Sequence, residues 1–183
     1  MKEYYYGFDL STTCCGYTIL DENGDFVEVG YIKPRANCKT FFQKIIFFRL
    51  QADSLFQKYF PTKVFVESYF KRFNPERSTI DTILTLARFN GVVCYIILNK
   101  TGIEPILISV YDARKLVGFK KSSKGQDIKE AVLDFIQFEV DKKEFTNKNL
   151  IFEKTRTDRP KPYSYDISDS VIIAKAGYKQ YAR

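Results

Sequence analysis

Asn23-Gly24, set inside Asp21-Glu22-Asn23-Gly24-Asp25 between two apolar runs, is the local signal that most restricts the fold. Such a pair accepts the positive φ angles of a tight hairpin, so residues 16–20 and 26–32 are expected to pair antiparallel. Residues 4–10, joined to Gly16 through Ser-Thr-Thr-Cys-Cys, supply a strand ahead of them, and Pro34 closes a three-stranded meander. The pattern then changes period. Over residues 38–60 the apolar positions Phe41, Ile45, Phe48, Ala52, Leu55, Phe56 and Tyr59 recur at helical spacing, and Pro61 stops the helix. Residues 63–67 read as a fourth strand. A second helix follows over 79–99, capped by Ser78 and ended by Gly102, and 105–110 form a fifth strand. A short helical turn, a Lys-rich loop and a helix over 126–138 come next. Residues 139–163 are charged, lack a period and read as a loop or mobile arm. The closing helix, from 164 or 165 to 181, carries Ile167, Val171, Ala174 and Tyr178 on one stripe. A meander followed by alternating helix and strand predicts an α/β fold, a five-stranded mixed sheet with helices on both faces.

At 183 residues the chain is expected to be a single domain, and a hydrophobic content of 45% with 17 Phe and 13 Tyr supports a packed core. No stretch reaches the roughly 18 uninterrupted apolar residues of a membrane helix, because charge breaks even the run from Phe41 to Leu50. The opening MKEYYYGFD has no signal-type apolar segment, so a cytoplasmic location is expected. Cys14, Cys15, Cys38 and Cys94 show no C-x-x-C spacing and read as free thiols. The chain has no histidine, which removes the commonest zinc ligand and every imidazole base. Catalysis here must run on carboxylates, Lys, Tyr or metal-bound water.

Four acids then stand out. Asp9 ends the first strand, Glu67 ends the fourth, and Asp166 and Asp169 lie three residues apart at the start of the closing helix. Residues at i and i+3 share a helix face. If the first and fourth strands are neighbours, all four carboxylates meet in one cleft. No Lys or Arg sits at a sequence spacing that obviously neutralises them, and a pair of hard divalent cations is the natural compensation. Two ions about 3.5 to 4 Å apart activate water and steady the leaving oxygen in displacement at phosphorus. Each acid also has a plainer reading: Asp9 as a turn or capping residue, Glu67 as a solvated strand end, Asp166 and Asp169 as first-turn acids favoured by the helix dipole. The rest of the chain is basic, with a net charge of +7, as a protein handling a polyanion would be.

The segment Gly7-Phe8-Asp9-Leu10-Ser11-Thr12-Thr13-Cys14-Cys15-Gly16-Tyr17 resembles the first-strand signature of RuvC-type Holliday-junction resolvases. Val66-Glu67-Ser68-Tyr69-Phe70 resembles their acidic fourth-strand motif, and Asp166-Ile167-Ser168-Asp169-Ser170-Val171-Ile172-Ile173-Ala174 their closing helix. The resemblance spans nearly the whole chain. It implies an RNase H-like fold, a homodimer and paired cutting of a four-way DNA junction, with two Mg²⁺ per active site that Mn²⁺ can replace. It further implies Asp9, Glu67, Asp166 and Asp169 as metal ligands and Phe70 as an aromatic that contacts or wedges the junction. Ala87-Arg88-Phe89-Asn90-Gly91 resembles the family's second-helix pattern. Lys115 and Lys124 fall close to family lysines that assist at the scissile phosphate, the second with one extra residue before Ile128. The chain departs from the family where Leu10-Ser11 replaces Pro-Gly and where Ile167-Ser168 replaces a small pair. Small size and drift from the bacterial pattern point to a phage or virus, and then to the host cytoplasm.

Expected DNA contacts are Phe70, Lys71, Arg72, Arg114, Lys120 and Lys121, with Lys124 and Lys129 in the same basic cluster. A second cluster comprises Lys154, Arg156, Arg159 and Lys161. Either cluster is also readable as ordinary solvated charge. Tyr163 and Tyr165, beside the second, suit packing better than stacking on an unpaired base. The helix over 79–99, through Ile83, Leu84, Ala87 and Val93, is the candidate dimer surface, with core packing as the alternative. A ribonuclease H or flap nuclease on the same scaffold remains an open reading, as does a nucleic-acid-binding relative without turnover. Asp9-Leu10-Ser11-Thr12-Thr13 also resembles the phosphate turn of actin-like ATPases, but those need two such domains, so no nucleotide cofactor is expected. Nor is any membrane partner.

Overall fold

A computed structural model describes residues 2–68, 79–121, 125–141 and 143–182. The strands are β1 (Tyr5–Asp9), β2 (Cys15–Leu20), β3 (Phe26–Ile32), β4 (Lys63–Glu67) and β5 (Ile106–Ile108). The α-helices are α1 (Phe41–Lys58), α2 (Ile80–Thr101), α3 (Val110–Val117), α4 (Ile128–Val140) and α5 (Pro162–Tyr181). The sheet runs in the order β3-β2-β1-β4-β5, antiparallel from β3 to β1 and parallel from β1 to β5. The expected mixed five-stranded sheet is present, and β1 and β4 are neighbours.

Each face of the sheet carries its own core. Side chains alternate along β1, so Tyr6 and Phe8 point to α1 and α2 with Phe48, Phe89 and Val93, whereas Tyr5 packs toward α3, α4 and α5 with Val171 and Ile172. Two glycines let α5 lie directly on the sheet. A β carbon on Gly7 would collide with Ala174, and one on Gly16 with the carbonyl of Asp166.

Local chemistry adjusts the element ends. The turn after β2 is longer than a two-residue hairpin: Asp21 Oδ1 accepts from the amides of Asn23 and Asp25, both at 2.9 Å, and Gly24 takes a positive φ of 75°. Helix α1 starts at Phe41, not 38, because Thr40 and Gln43 form a reciprocal capping box. Thr79 caps α2, and Ser78 lies outside the described residues. Strand β5 is shorter than expected since Ser109 turns the chain to cap α3. Helix α5 begins early, at Pro162, whose missing N–H costs nothing in a first turn.

Two expectations need correction. The stretch over 139–163 is fastened to the fold. Thr146 pairs with β3 on both sides, Phe145 stacks on Phe26 at 4.7 Å, Ile151 is fully buried in a 3-10 turn, and Tyr163 stacks on Tyr31 at 4.2 Å. Contrary to the reading from charge density, α2 is long and apolar enough by length and composition to cross a membrane. Its Phe89, Val93, Ile96 and Ile97 pack on the sheet, while Ile80, Leu84, Tyr95 and Leu98 stay exposed.

Candidate active site

The register Phe8↔Val66 brings Asp9 and Glu67 side by side at the C-terminal ends of two parallel strands. Opposite, Asp9 pairs with Gly16, and the space left above that glycine admits the first turns of α5. Asp166 and Asp169 thereby face the strand ends, and the charges of Glu67, Asp166 and Asp169 all act on Asp9. The carboxyl of Asp9 is held well above the usual carboxylate range, first by burial and then by the charges of Glu67 and Asp169, a hydrogen bond shared with Glu67, and the charge of Asp166. Burial also raises Asp166, against the pull of a hydrogen bond from the Cys14 thiol and the charges of Lys129 and Lys33. Cys14 is raised in turn by burial and by Asp166.

The two acids of α5 are steadied by different neighbours. Arg114 on α3 places Nη2 3.1 Å from Asp169 Oδ1, with both side chains mostly buried. This corrects one expectation, since a basic residue does neutralise the cleft; Arg114, expected on DNA, is paired with Asp169 in the free chain. Its neighbour Lys115 is exposed and lines a surface hollow with Asp112, Lys179 and Tyr181. Ser11, standing where the family has glycine, organises the turn beside Asp9: its hydroxyl accepts from the Cys14 amide at 3.1 Å and donates to the Cys14 carbonyl at 2.7 Å. That closure holds the Cys14 thiol at Asp166. The other departure is absorbed, since Ile167 lies in the core and Ser168 donates to the Ser164 carbonyl at 2.7 Å.

Among the described residues no three His, Cys, Asp or Glu side chains converge on a single point as ligands of one ion. The donor set nonetheless fits a hard divalent cation. Carboxylates crowded until one is held well above its usual range are what such a charge relieves, and oxygen ligands suit Mg²⁺ or Mn²⁺.

Phe70, Lys71, Arg72 and Lys124 lie outside the described residues. Lys120 and Lys121 are exposed after α3, and Lys129 sits 5.6 Å from the Tyr165 ring. The second basic cluster forms a turn closed by a bridge between Lys154 and Pro160, with Asp158 at a φ of 60°. Within it Lys154 pairs with Asp158 at 3.0 Å and Lys161 approaches Glu153 at 3.9 Å, while Arg156 and Arg159 stand exposed. Tyr163 donates to Glu153 and is stacked on Tyr31, a packing role. Of the proposed dimer surface, Val93 belongs to the core, Ile83 and Ala87 are half-buried and Leu84 is exposed. Sequence reasoning missed Arg114 as partner of Asp169, Cys14 as partner of Asp166, and the two lysines facing Asp166. All four relationships are made across elements far apart in the chain.

No family model matches the chain. It is 27% identical over 147 residues to the crossover junction endodeoxyribonuclease RuvC of Aliarcobacter butzleri, across 69% of this chain and 91% of that protein. Its fold matches Thermus thermophilus RuvC, solved in complex with a Holliday junction substrate, with a TM-score of 0.67 at 12% identity over 97% of this chain and 93% of the other. A second T. thermophilus RuvC structure gives 0.62 at 14% identity, covering 96% and 93%. The yeast mitochondrial Holliday junction resolvase Ydc2 gives 0.58 at 15%, covering 95% and 77%. The fold is thus the RNase H-like fold of RuvC, and the resemblance read from the motifs holds in sequence and in structure.

Proposed function

We propose that this chain is a structure-selective endonuclease that resolves four-way DNA junctions by hydrolysing a pair of phosphodiesters. The observation that carries this reading is the meeting of Asp9, Glu67, Asp166 and Asp169 at one end of a RuvC-like sheet. Their oxygens would hold two Mg²⁺ or Mn²⁺ ions, which when bound supply Lewis acidity and an activated water. The chain's own groups do the rest. Asp9 and Glu67 sit on rigid strand ends, so their carboxyl carbons are fixed before substrate arrives. Gly16 brings Asp166 over them, and Arg114 sets the rotamer of Asp169. Lys33 and Lys129 act on Asp166 from the solvent side and favour a phosphate beside it. Arg159, exposed and acting on the neighbouring Tyr165, extends that positive approach.

Resolution needs two coordinated cuts, which a two-fold dimer supplies. The exposed stripe Ile80, Leu84, Tyr95 and Leu98 on α2 supports such an interface, and Phe42, Ile46 and Leu50 form a second exposed apolar row on α1. Lys100 to Asp53, at 3.0 Å, ties the two helices together.

The test is a synthetic four-way junction with each strand end-labelled, incubated in Mg²⁺ beside a flap and an RNA:DNA hybrid. Symmetric, ligatable nicks on two opposed strands of the junction are expected. Asp166→Asn should stop cleavage while junction binding persists. Undiminished cutting by that variant, or preferential cutting of the hybrid, would defeat the assignment.

A further inference from the structure

Toward the other end of α5 the protein builds a second hollow that strand cutting does not use. Nine residues of helix separate Asp166 from Lys175, roughly 13 Å of rise, so the two regions are distinct. The hollow has a volume of about 460 Å³ and lies between the β2–β3 turn, α4 and the last turns of α5. That size falls within the range of small-molecule sites. Phe26, Phe135, Ile136 and Ile172 form apolar wall, and three cations reach it: Lys143, Lys175 and Lys179.

Of those cations only Lys143 has a carboxylate partner among the described residues, and Lys179 is exposed to solvent. Lys143 Nζ pairs with Asp25 Oδ1 at 2.9 Å, and Lys179 Nζ donates to the Leu116 carbonyl at 2.9 Å. Lys175 is different. It is half-buried, donates to the Gly24 carbonyl at 2.6 Å and lies 4.3 Å from the centre of the Phe26 ring. Among the described residues no carboxylate pairs with it; Glu139, Asp25 and Asp21 act only at longer range. An ammonium has three donors, and the carbonyl uses one. Burial, with the nearby charge of Lys143, pushes the amine down to about 8, the mark of a cation short of compensation. The lining residues also count the charge a ligand should bring. Three lysines against Asp25 and Glu139 leave a surplus of one positive charge, which suits a monoanion; a phosphate dianion would overshoot it and meet the two rim acids.

We propose that this hollow binds a small organic monocarboxylate with a flat apolar body, the carboxylate seated on the Lys175 ammonium and the body against Phe26 and Phe135. Because Gly24 is anchored by Lys175, the occupant also braces the β2–β3 turn against α5, the helix that carries Asp166 and Asp169.

The inference is independent of strand cutting and is tested without it. The full-length chain is titrated with 2-naphthoate, 2-naphthamide and inorganic phosphate while backbone amide resonances and the melting temperature are followed. Saturable millimolar or tighter binding of 2-naphthoate is expected, with shifts centred on Gly24, Phe26 and Lys175 and a raised melting temperature. The neutral amide and phosphate should bind at least ten-fold more weakly. Lys175→Met, which keeps the apolar stem, should lose naphthoate binding, and Lys175→Arg should retain part of it. If Lys175→Met does not fold, the comparison of acid with amide on the unaltered chain and the Lys175→Arg titration decide alone. Equal binding of acid and amide, shifts elsewhere, or no saturation by naphthoate would overturn the proposal.

Discussion

The backbone carbonyl of Asp166 rests on Gly16, in a space that a side chain at position 16 would fill. Gly16 is also the register partner of Asp9, so one absent methyl group sets how closely the acid of α5 approaches the acid of β1. Gly16→Ala should therefore push α5 off the sheet at its catalytic end. We expect a loss of about 1–3 kcal/mol by chemical denaturation, typical of overpacking, and at least a ten-fold loss of junction cleavage. A variant as active and as stable as the parent would show that the contact does not position the acid.

Arg114 and Asp169 supply a second test, because their ion pair removes one negative charge from a cleft that holds four. Arg114→Met keeps the length of the side chain and takes away the cation. In EDTA the variant should be less stable by roughly 1–3 kcal/mol, the cost of leaving a mostly buried charged group without its partner. Mg²⁺ should then raise its melting temperature more than it raises the parent's, since the metal-free cleft is the more strained electrostatically. Identical melting curves in EDTA would mean that Asp169 does not need Arg114.

The crowding of the acids sets the sign of a pH dependence. Asp9 and Asp166 both have carboxyls raised above the usual range in the folded chain. In the unfolded chain they titrate near 4, so the folded state binds more protons between that value and the folded ones. Stability of the metal-free protein is accordingly greatest on the acid side and falls as pH rises through those folded values. Lys175, lowered to about 8, acts with the opposite sign between that value and the ordinary lysine range. In EDTA the melting temperature should drop as the pH rises above the ordinary carboxylate range, and Mg²⁺ should flatten or reverse the slope. Asp9→Asn should remove most of the drop and abolish cleavage together. A melting temperature that rises with pH in EDTA would contradict the arrangement.

What could be read from the sequence was whatever local chemistry decides. The pairing of β1 with β4 follows from a meander plus a crossover helix, and it placed Asp9 beside Glu67. Helix spacing put Asp166 and Asp169 on one face. Relationships between elements stayed hidden. Nothing in the spacing of 55 residues between Arg114 and Asp169 marks them as partners, because the angle at which α3 crosses α5 decides it. The same holds for Cys14, which reaches Asp166 only once Ser11 has closed its turn. Residues 139–163 looked structureless because their order comes from tertiary anchors, Phe145 on Phe26 and Tyr163 on Tyr31, spaced with no period of their own. At α2 the helical pattern was clear, but which side faced the core was not: apolar residues lie all round it.

That all-round apolarity leads to the last prediction. The inner side of α2 is spent on the sheet, through Phe89, Val93 and Ile97. Its outer side presents Ile80, Leu84, Tyr95 and Leu98, with Tyr95 66% and Leu84 56% exposed, and the open space beside Gly91 lets another backbone come close. Contiguous exposed apolar surface of this kind is unfavourable on a lone chain and stabilising once covered. If a second copy covers it, Leu84→Glu should give monomers in sedimentation velocity at concentrations where the parent is a dimer. The fold should persist, because Leu84 lies outside both cores. Paired cutting should fall at least ten-fold, as each monomer nicks one strand without a partner to cut the other. Gly91→Ala adds a discriminating sign. On an isolated helix the substitution stabilises by about 1 kcal/mol through propensity; with a partner backbone seated there, the added carbon weakens association. A Gly91→Ala chain that melts higher and dimerises as tightly as the parent would place the interface elsewhere.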